Sequence, residues 1–150
     1  MATLVEAIGA AQIAVVRELF AEYARLVDEP CCFADFDREL AGLPGEYRLL
    51  LADPAAGCVA VRFLGPETAE MKRLYVRSAH RGRGLGRALA EAAIVVARDA
   101  GCTRIVLDTL PKMREAQALY RMLGFRRIAP YLSVPTPGAI CLELSLCGSA

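Results

Sequence analysis

The feature that most constrains this chain is a turn with glycine at 82, 84 and 86, lying between a strand-like run and a long helical one. Residues 70–76 read as a strand. Residues 84–100, rich in Ala and Leu and stopped by Gly101, read as a helix. Gly82, Gly84 and Gly86 let the backbone pass close to a ligand and aim several N–H groups the same way. The helix N-terminus adds unpaired donors and the positive end of its dipole, which suits a di-anion such as pyrophosphate. Arg81, Arg83 and Arg87 ring that point with side-chain cations. The P-loop pattern G-x-x-x-x-G-K-[ST] is absent, since no Gly-Lys-Ser/Thr occurs. The dinucleotide pattern G-x-G-x-x-G fails at Arg87 and Leu89. Arg81-Gly82-Arg83-Gly84-Leu85-Gly86 does fit [QR]-x-x-G-x-[GA]. A plain helix-capping turn is the alternative, and its place between a strand and a long helix favours the phosphate site.

The rest of the chain supplies elements for one α/β domain with a mixed sheet. Residues 2–8 read as a strand. Ile13, Val16, Phe20, Tyr23 and Val27 form a helical stripe that stops near Pro30, and a shorter helix is expected over residues 33–40. Strands over residues 47–52, 58–64 and 70–76 are joined by short Gly- and Pro-containing links, the pattern of an antiparallel meander. After the long helix come a strand at 104–108, a helix at 113–123 closed by Gly124, and strands at 125–129 and 139–146.

Charge and cysteine usage narrow the function class. The chain holds 18 Lys+Arg against 17 Asp+Glu, and all the cations except Lys72 and Lys112 are Arg, the better fork for phosphate and carboxylate. Residues 71–87 carry six of them (Lys72, Arg73, Arg77, Arg81, Arg83, Arg87) and no acid, leaving the other 12 basic and 17 acidic residues at net −5. This predicts a local anion site on an otherwise acidic domain. Nucleic acid is not the expected partner, because no aromatic residue except Tyr75 interleaves these cations. No apolar run approaches the length of a membrane span. Residues 1–8 lack signal-peptide features, so a cytoplasmic protein is expected. The cysteines at 31, 32, 58, 102, 141 and 147 form no C-x-x-C pair and have only His80 for company. They read as free thiols in a reducing compartment, with no metal site.

A second block, Ala116-Gln117-Ala118-Leu119-Tyr120-Arg121-Met122-Leu123-Gly124-Phe125, follows the turn in order. Together the two blocks resemble the GCN5-related N-acetyltransferase (GNAT) superfamily, whose second signature runs A-x-x-L-Y-x-x-x-G-F. The resemblance covers essentially the whole chain and is strongest over residues 70–125. It implies a single GNAT-like domain over residues 1–150, with about seven strands, about four helices and splayed central parallel strands. It also implies acetyl-CoA as co-substrate, an amine acceptor and no metal. By this resemblance the pyrophosphate lies against Arg81, Gly82, Arg83, Gly84, Leu85, Gly86 and Arg87, with Ala88 completing the cradle. The pantetheine runs beside Leu74, Tyr75 and Val76, bonded by main-chain groups of Leu74 and Val76. A backbone N–H of the same strand polarises the thioester carbonyl. Many relatives carry an Asn near the start of the last helix; here that stretch reads Lys112-Met113-Arg114-Glu115-Ala116.

Acyl transfer to an amine needs a base, because alkyl ammonium groups titrate near pH 10 (about 10.4 for lysine), and the thiolate gains from a proton donor. Tyr120 matches the family's tyrosine, which often protonates the CoA sulfur; packing in a core face is the alternative. Glu70 is the candidate base, placed by strict strand alternation on the face of Lys72, Leu74 and Val76. Its alternative is a strand-end carboxylate in solvent or paired with Lys72 or Arg62. Glu67 is a weaker substitute, and His80 fits a polar contact in the turn better than proton abstraction. Asp108 and Thr109 either position the acceptor or cap the following helix. Residues 30–45 and 131–138, with Tyr131, Phe33 and Phe36, are expected to shape the acceptor pocket. The chain is expected to be a monomer or a homodimer. An acyl-CoA-sensing domain without transfer is the competing function.

Overall fold

A computed structural model of the chain describes residues 2–146, apart from the side chain of Cys31, so Cys147 lies outside the described residues. The order is β1 (Thr3–Glu6), α1 (Ala10–Val27), a 3-10 turn (Pro30–Phe33), α2 (Phe36–Ala41), β2 (Tyr47–Asp53), β3 (Gly57–Phe63), β4 (Thr68–Val76), α3 (Leu85–Asp99), β5 (Arg104–Thr109), α4 (Arg114–Met122), β6 (Arg126–Ile128) and β7 (Ile140–Ser145). The strands form one seven-stranded sheet in the order β1-β2-β3-β4-β5-β7-β6. Its pairs are antiparallel except β4 with β5, which gives the expected mixed sheet. The helix expected over residues 33–40 divides in two. Pro30 starts a tight turn, and Asp35, left-handed at φ 56°, separates that turn from α2.

The sheet buries both faces. On one, Leu89, Ala90, Ala93, Ile94 and Ala97 of α3 meet Val59, Val61, Ala69 and Met71, and Tyr120 and Phe125 close the same cluster over Ile105 and Leu107. The alanines of this stripe bring α3 close to the sheet. At Gly57 the approach of β3 and β4 is closer still: a Cβ there would stand 2.5 Å from the Tyr75 carbonyl oxygen. On the other face, Val16, Leu19 and Phe20 of α1 cover Leu49, Leu51, Cys58, Ala60 and Tyr75.

Two irregularities of β4 shape everything that follows. First, β4 and β5 pair only at Thr68↔Arg104, Ala69↔Ile105 and Glu70↔Val106, although β4 runs on to Val76 and β5 to Thr109. Beyond Glu70 the two strands part, the expected splay. Second, Ala60 faces Lys72 while Cys58 faces Tyr75, so Arg73 and Leu74 together oppose Val59 in a β-bulge. Arg73 takes φ 59°, a left-handed conformation that costs a non-glycine residue about 1–2 kcal/mol. Its side chain holds it there: Nε and Nη2 donate to Glu39 at 3.1 and 2.9 Å, Nη1 donates to the Cys32 carbonyl at 3.3 Å, and the guanidinium lies 4.4 Å over the Phe33 ring.

The bulge corrects the expected facing of Glu70. Ala69 and Met71 before it, and Leu74 and Val76 after it, all pack toward α3. Glu70 opposes Arg62, which opposes Tyr47 on the α1 side, and Tyr75 packs on that side too. The extra residue reverses the alternation, so Glu70 and Lys72 lie on the face opposite Leu74 and Val76. The six cations of residues 71–87 are also not one patch. Arg73 is matched by Glu39 of α2, and Arg77 by Glu22 of α1 at 3.0 Å.

Candidate active site

Where β4 and β5 part, their facing edges lose each other as hydrogen-bond partners, and backbone amides and carbonyls open onto a cleft. The cleft has a volume of about 790 Å³ and is closed by the start of α3 on one side and α4 on the other. Leu74, Tyr75, Val76, Arg81, Gly82, Gly84, Leu85 and Gly86 line it, and so does Tyr120. Arg83, Arg87, Ala88 and Glu70 do not belong to its wall. Tyr23 and Val27 of α1, Phe33, and Thr136 and Ala139 of the link before β7 also belong to the wall. Of these, Tyr23 was not foreseen, because its spacing with Phe20 and Val27 reads as ordinary core.

At the turn, Gly82 and Gly84 take φ 78° and 76°, and Gly84 caps α3 with no side-chain bond to the first-turn amides. The first helical bond runs from the Ala88 N–H to the Gly84 carbonyl at 3.0 Å, which leaves the amides of Leu85, Gly86 and Arg87 ahead of the ladder. Gly86 is a normal helical position, where a Cβ would touch Leu119 and Val76 at ordinary contact distances. Arg81 turns back to donate from Nε to the Val76 carbonyl at 3.2 Å, and Arg87 lies 3.5 Å from Glu91. His80 joins the cleft wall at this end.

Tyr120 reaches the cleft from α4, its ring 5.6 Å from that of Phe125 and only 6% of the residue exposed. Burial, with smaller contributions from Tyr23 and Asp108, raises its pKa, so the phenol keeps its proton. Its hydroxyl bonds no other group among the described residues. Asp108 and Thr109 line the cleft at the end of β5 and do not cap α4, which starts without any side-chain cap. Gln117 instead donates to the Leu110 carbonyl at 2.8 Å and secures that entry.

Glu70 stands at the apex of the splay and is fully buried. Arg62 donates to its Oε1 from Nε at 2.9 Å and from Nη2 at 2.5 Å, and the Tyr131 hydroxyl donates to its Oε2 at 2.5 Å. Arg62 also reaches Glu46 at 3.0 Å. Burial, then the Glu70 charge, drives the Tyr131 pKa well up. The Arg62 pairing was one of the alternatives open in the sequence; the Tyr131 contact, 61 residues away, had no local signal. On the α1 side, the Tyr75 hydroxyl donates to Glu22 at 2.5 Å, and that bond, with Arg77, lowers the Glu22 pKa. Burial raises the thiol pKa of Cys58, Cys102 and Cys141, so they stay protonated and unreactive. Among the described residues no group of three or more His, Cys, Asp or Glu is placed to hold a metal, and no helix is long and apolar enough to cross a membrane.

Residues 13–125 match the model of the acetyltransferase (GNAT) family. An uncharacterized N-acetyltransferase of Schizosaccharomyces pombe is 37% identical over 138 residues, 85% of each chain. "Probable glucosamine 6-phosphate N-acetyltransferase 2" of Oryza sativa is 36% identical over 107 residues, 63% of this chain and 60% of its own. A Salmonella typhimurium protein solved with its cofactor acetyl-CoA superposes with a TM-score of 0.73 at 24% identity, covering 100% of this chain and 96% of that one.

Proposed function

The chain belongs to the acetyltransferase (GNAT) family and is an N-acetyltransferase, and from that premise we propose that it transfers the acetyl group of acetyl-CoA to a primary amine by direct attack of the amine nitrogen on the thioester carbonyl. The observation that carries this reading is a single cleft that joins a helix-capping anion turn, an opened strand edge and a phenol held protonated. The amides of residues 82–87 serve the pyrophosphate, with Arg81, Arg83, Arg87 and Ala88 around them. Main-chain groups of Leu74 and Val76 take the amides of the pantetheine as a neighbouring strand would. An amide of the same opened edge polarises the thioester carbonyl.

The new N–C bond forms as the C–S bond breaks, and two protons must be managed. Tyr120 donates a hydrogen bond to the sulfur as it takes on negative charge, which lowers the cost of the departing thiolate. Glu70, buried behind the cleft wall with Arg62 and Tyr131 on its two oxygens, receives the proton of the amine only by way of water.

Free-thiol release from acetyl-CoA against a panel of amines, amino acids and peptides tests this function. Acceptor-dependent release is expected. Acetyl-CoA binding without release across the panel would leave an acyl-CoA-binding domain in its place. The turn has its own test in Gly84→Ala. A Cβ there meets nothing within 4 Å, so its cost is the left-handed backbone, about 1–2 kcal/mol. It is expected to lower Tm by roughly 2–8 °C and to raise the KM for acetyl-CoA, whereas Gly86→Ala leaves both near wild type.

A further inference from the structure

The parallel register of β4 and β5 ends at Glu70↔Val106. Carried two residues further, it sets Lys72 of β4 across the opening from Asp108 of β5. Both side chains lie on the α1 face: Lys72 opposes Ala60 of the α1-side cluster, and Asp108 follows Leu107, which packs toward α3. Both line the cleft and both are half-buried. They are a cation and an anion at the same depth, yet they form no ion pair with each other or with any other described residue. The neighbouring charges are matched: Arg73 by Glu39, Arg77 by Glu22, Glu70 by Arg62 and Lys112 by Glu29. Arg114 and Glu115 are exposed and reach solvent, and Arg81, which also lines the wall without an ion pair, is exposed at the glycine turn, where its Nε donates to the Val76 carbonyl. The splay thus holds one positive and one negative group apart inside the cleft.

We propose that this pair recognises the acceptor as a zwitterion, an amino acid or similar small amino carboxylate, with its ammonium at Asp108 and its carboxylate at Lys72. The inference rests on the acetyl-transfer reading above and adds the acceptor class to it. Each contact is a charge-assisted hydrogen bond in a partly dry site. A lysine suits the carboxylate as a point charge that can adjust along its stem. Other amine classes meet a penalty: a phosphorylated amine sets its di-anion beside Asp108, and a diamine sets its second cation beside Lys72. Asp108 and Tyr120 line the same cleft, so the reacting nitrogen and the proton donor for sulfur are held in one space.

The test measures thiol release at saturating acetyl-CoA for α-amino acids, their primary amides, the matching simple amines and glucosamine 6-phosphate. Calorimetry on the CoA-loaded protein measures binding of the same amino acids apart from turnover. Amino acids are expected to exceed their amides in kcat/KM by about 100-fold, the size of roughly one charge-assisted contact. Lys72→Met keeps the apolar stem, and no partner is lost. It is expected to bring amino acids down to within a few-fold of the amides, leaving the amides and the KM for acetyl-CoA unchanged. Asp108→Asn lowers kcat/KM for both series. Equal or better use of amides or of glucosamine 6-phosphate overturns the zwitterion site while leaving acetyl transfer intact. Amino acid binding that Lys72→Met abolishes, without thiol release from any acceptor, supports the site and overturns the transfer reading. Neither binding nor release overturns both.

Discussion

Tyr120→Phe is expected to lower kcat by about 100-fold, within the span that general acid catalysis contributes, and to leave the KM for acetyl-CoA within about twofold. The variant is unusually clean. The phenol ring packs against Phe125 and closes the core over β5, and phenylalanine keeps that packing. The hydroxyl bonds no described residue, so its removal strands no partner and Tm should hold or rise slightly. The residue is buried, but its hydroxyl opens onto the cleft without a protein partner and can bond a ligand atom there. Steady-state kinetics with calorimetric acetyl-CoA binding decides the matter. Unchanged kcat with unchanged binding would return Tyr120 to the core as packing and remove it from the reaction.

Arg62→Met is expected to cost about 3–5 kcal/mol of stability, because it removes the main partner of a fully buried carboxylate. For a chain of this length that is a fall in Tm of roughly 10 °C or more. The double variant Arg62→Met with Glu70→Gln should recover at least half of the loss, since no charge is then stranded. Tyr131 can still donate to the amide oxygen of the glutamine. Equal melting temperatures for the single and double variants would show that the loss comes from packing of the arginine stem and not from the pair. Glu70→Gln alone leaves Arg62 its bond to Glu46 and should be mild in stability. Its kinetic effect is separate: if Glu70 takes the amine's proton, kcat falls while the KM for acetyl-CoA holds. A purely structural Glu70 would leave kcat unmoved.

The two carboxylate contacts also show how far local sequence reasoning reaches. The turn at residues 81–86 and its helix were legible because their signals are local: glycine where φ is positive, apolar residues at helical spacing, a strand run before and Gly101 after. The meander was legible from its short links, and the block around Tyr120 from a helical face closed by Gly124. The facing of Glu70 was not. It depends on the bulge at Arg73, and nothing in Lys72-Arg73-Leu74 announces a left-handed residue. That conformation is held by Glu39, Phe33 and the Cys32 carbonyl, which come from elements far back in the chain.

By itself, then, the sequence determined the order of elements, the mixed sheet, the glycine turn ahead of α3 and the membership of Tyr120 in one helical face. Those follow from backbone preferences and periodicity, which act over a few residues. Only the tertiary structure decided how charge is shared out. Arg73 and Arg77 leave the apparent cation cluster for Glu39 and Glu22, Glu70 is locked by Arg62 and Tyr131, and Lys72 and Asp108 are left facing each other unmatched. Pairing of charges is settled by distance through space, and distance across a bulged, splayed sheet cannot be counted along the chain.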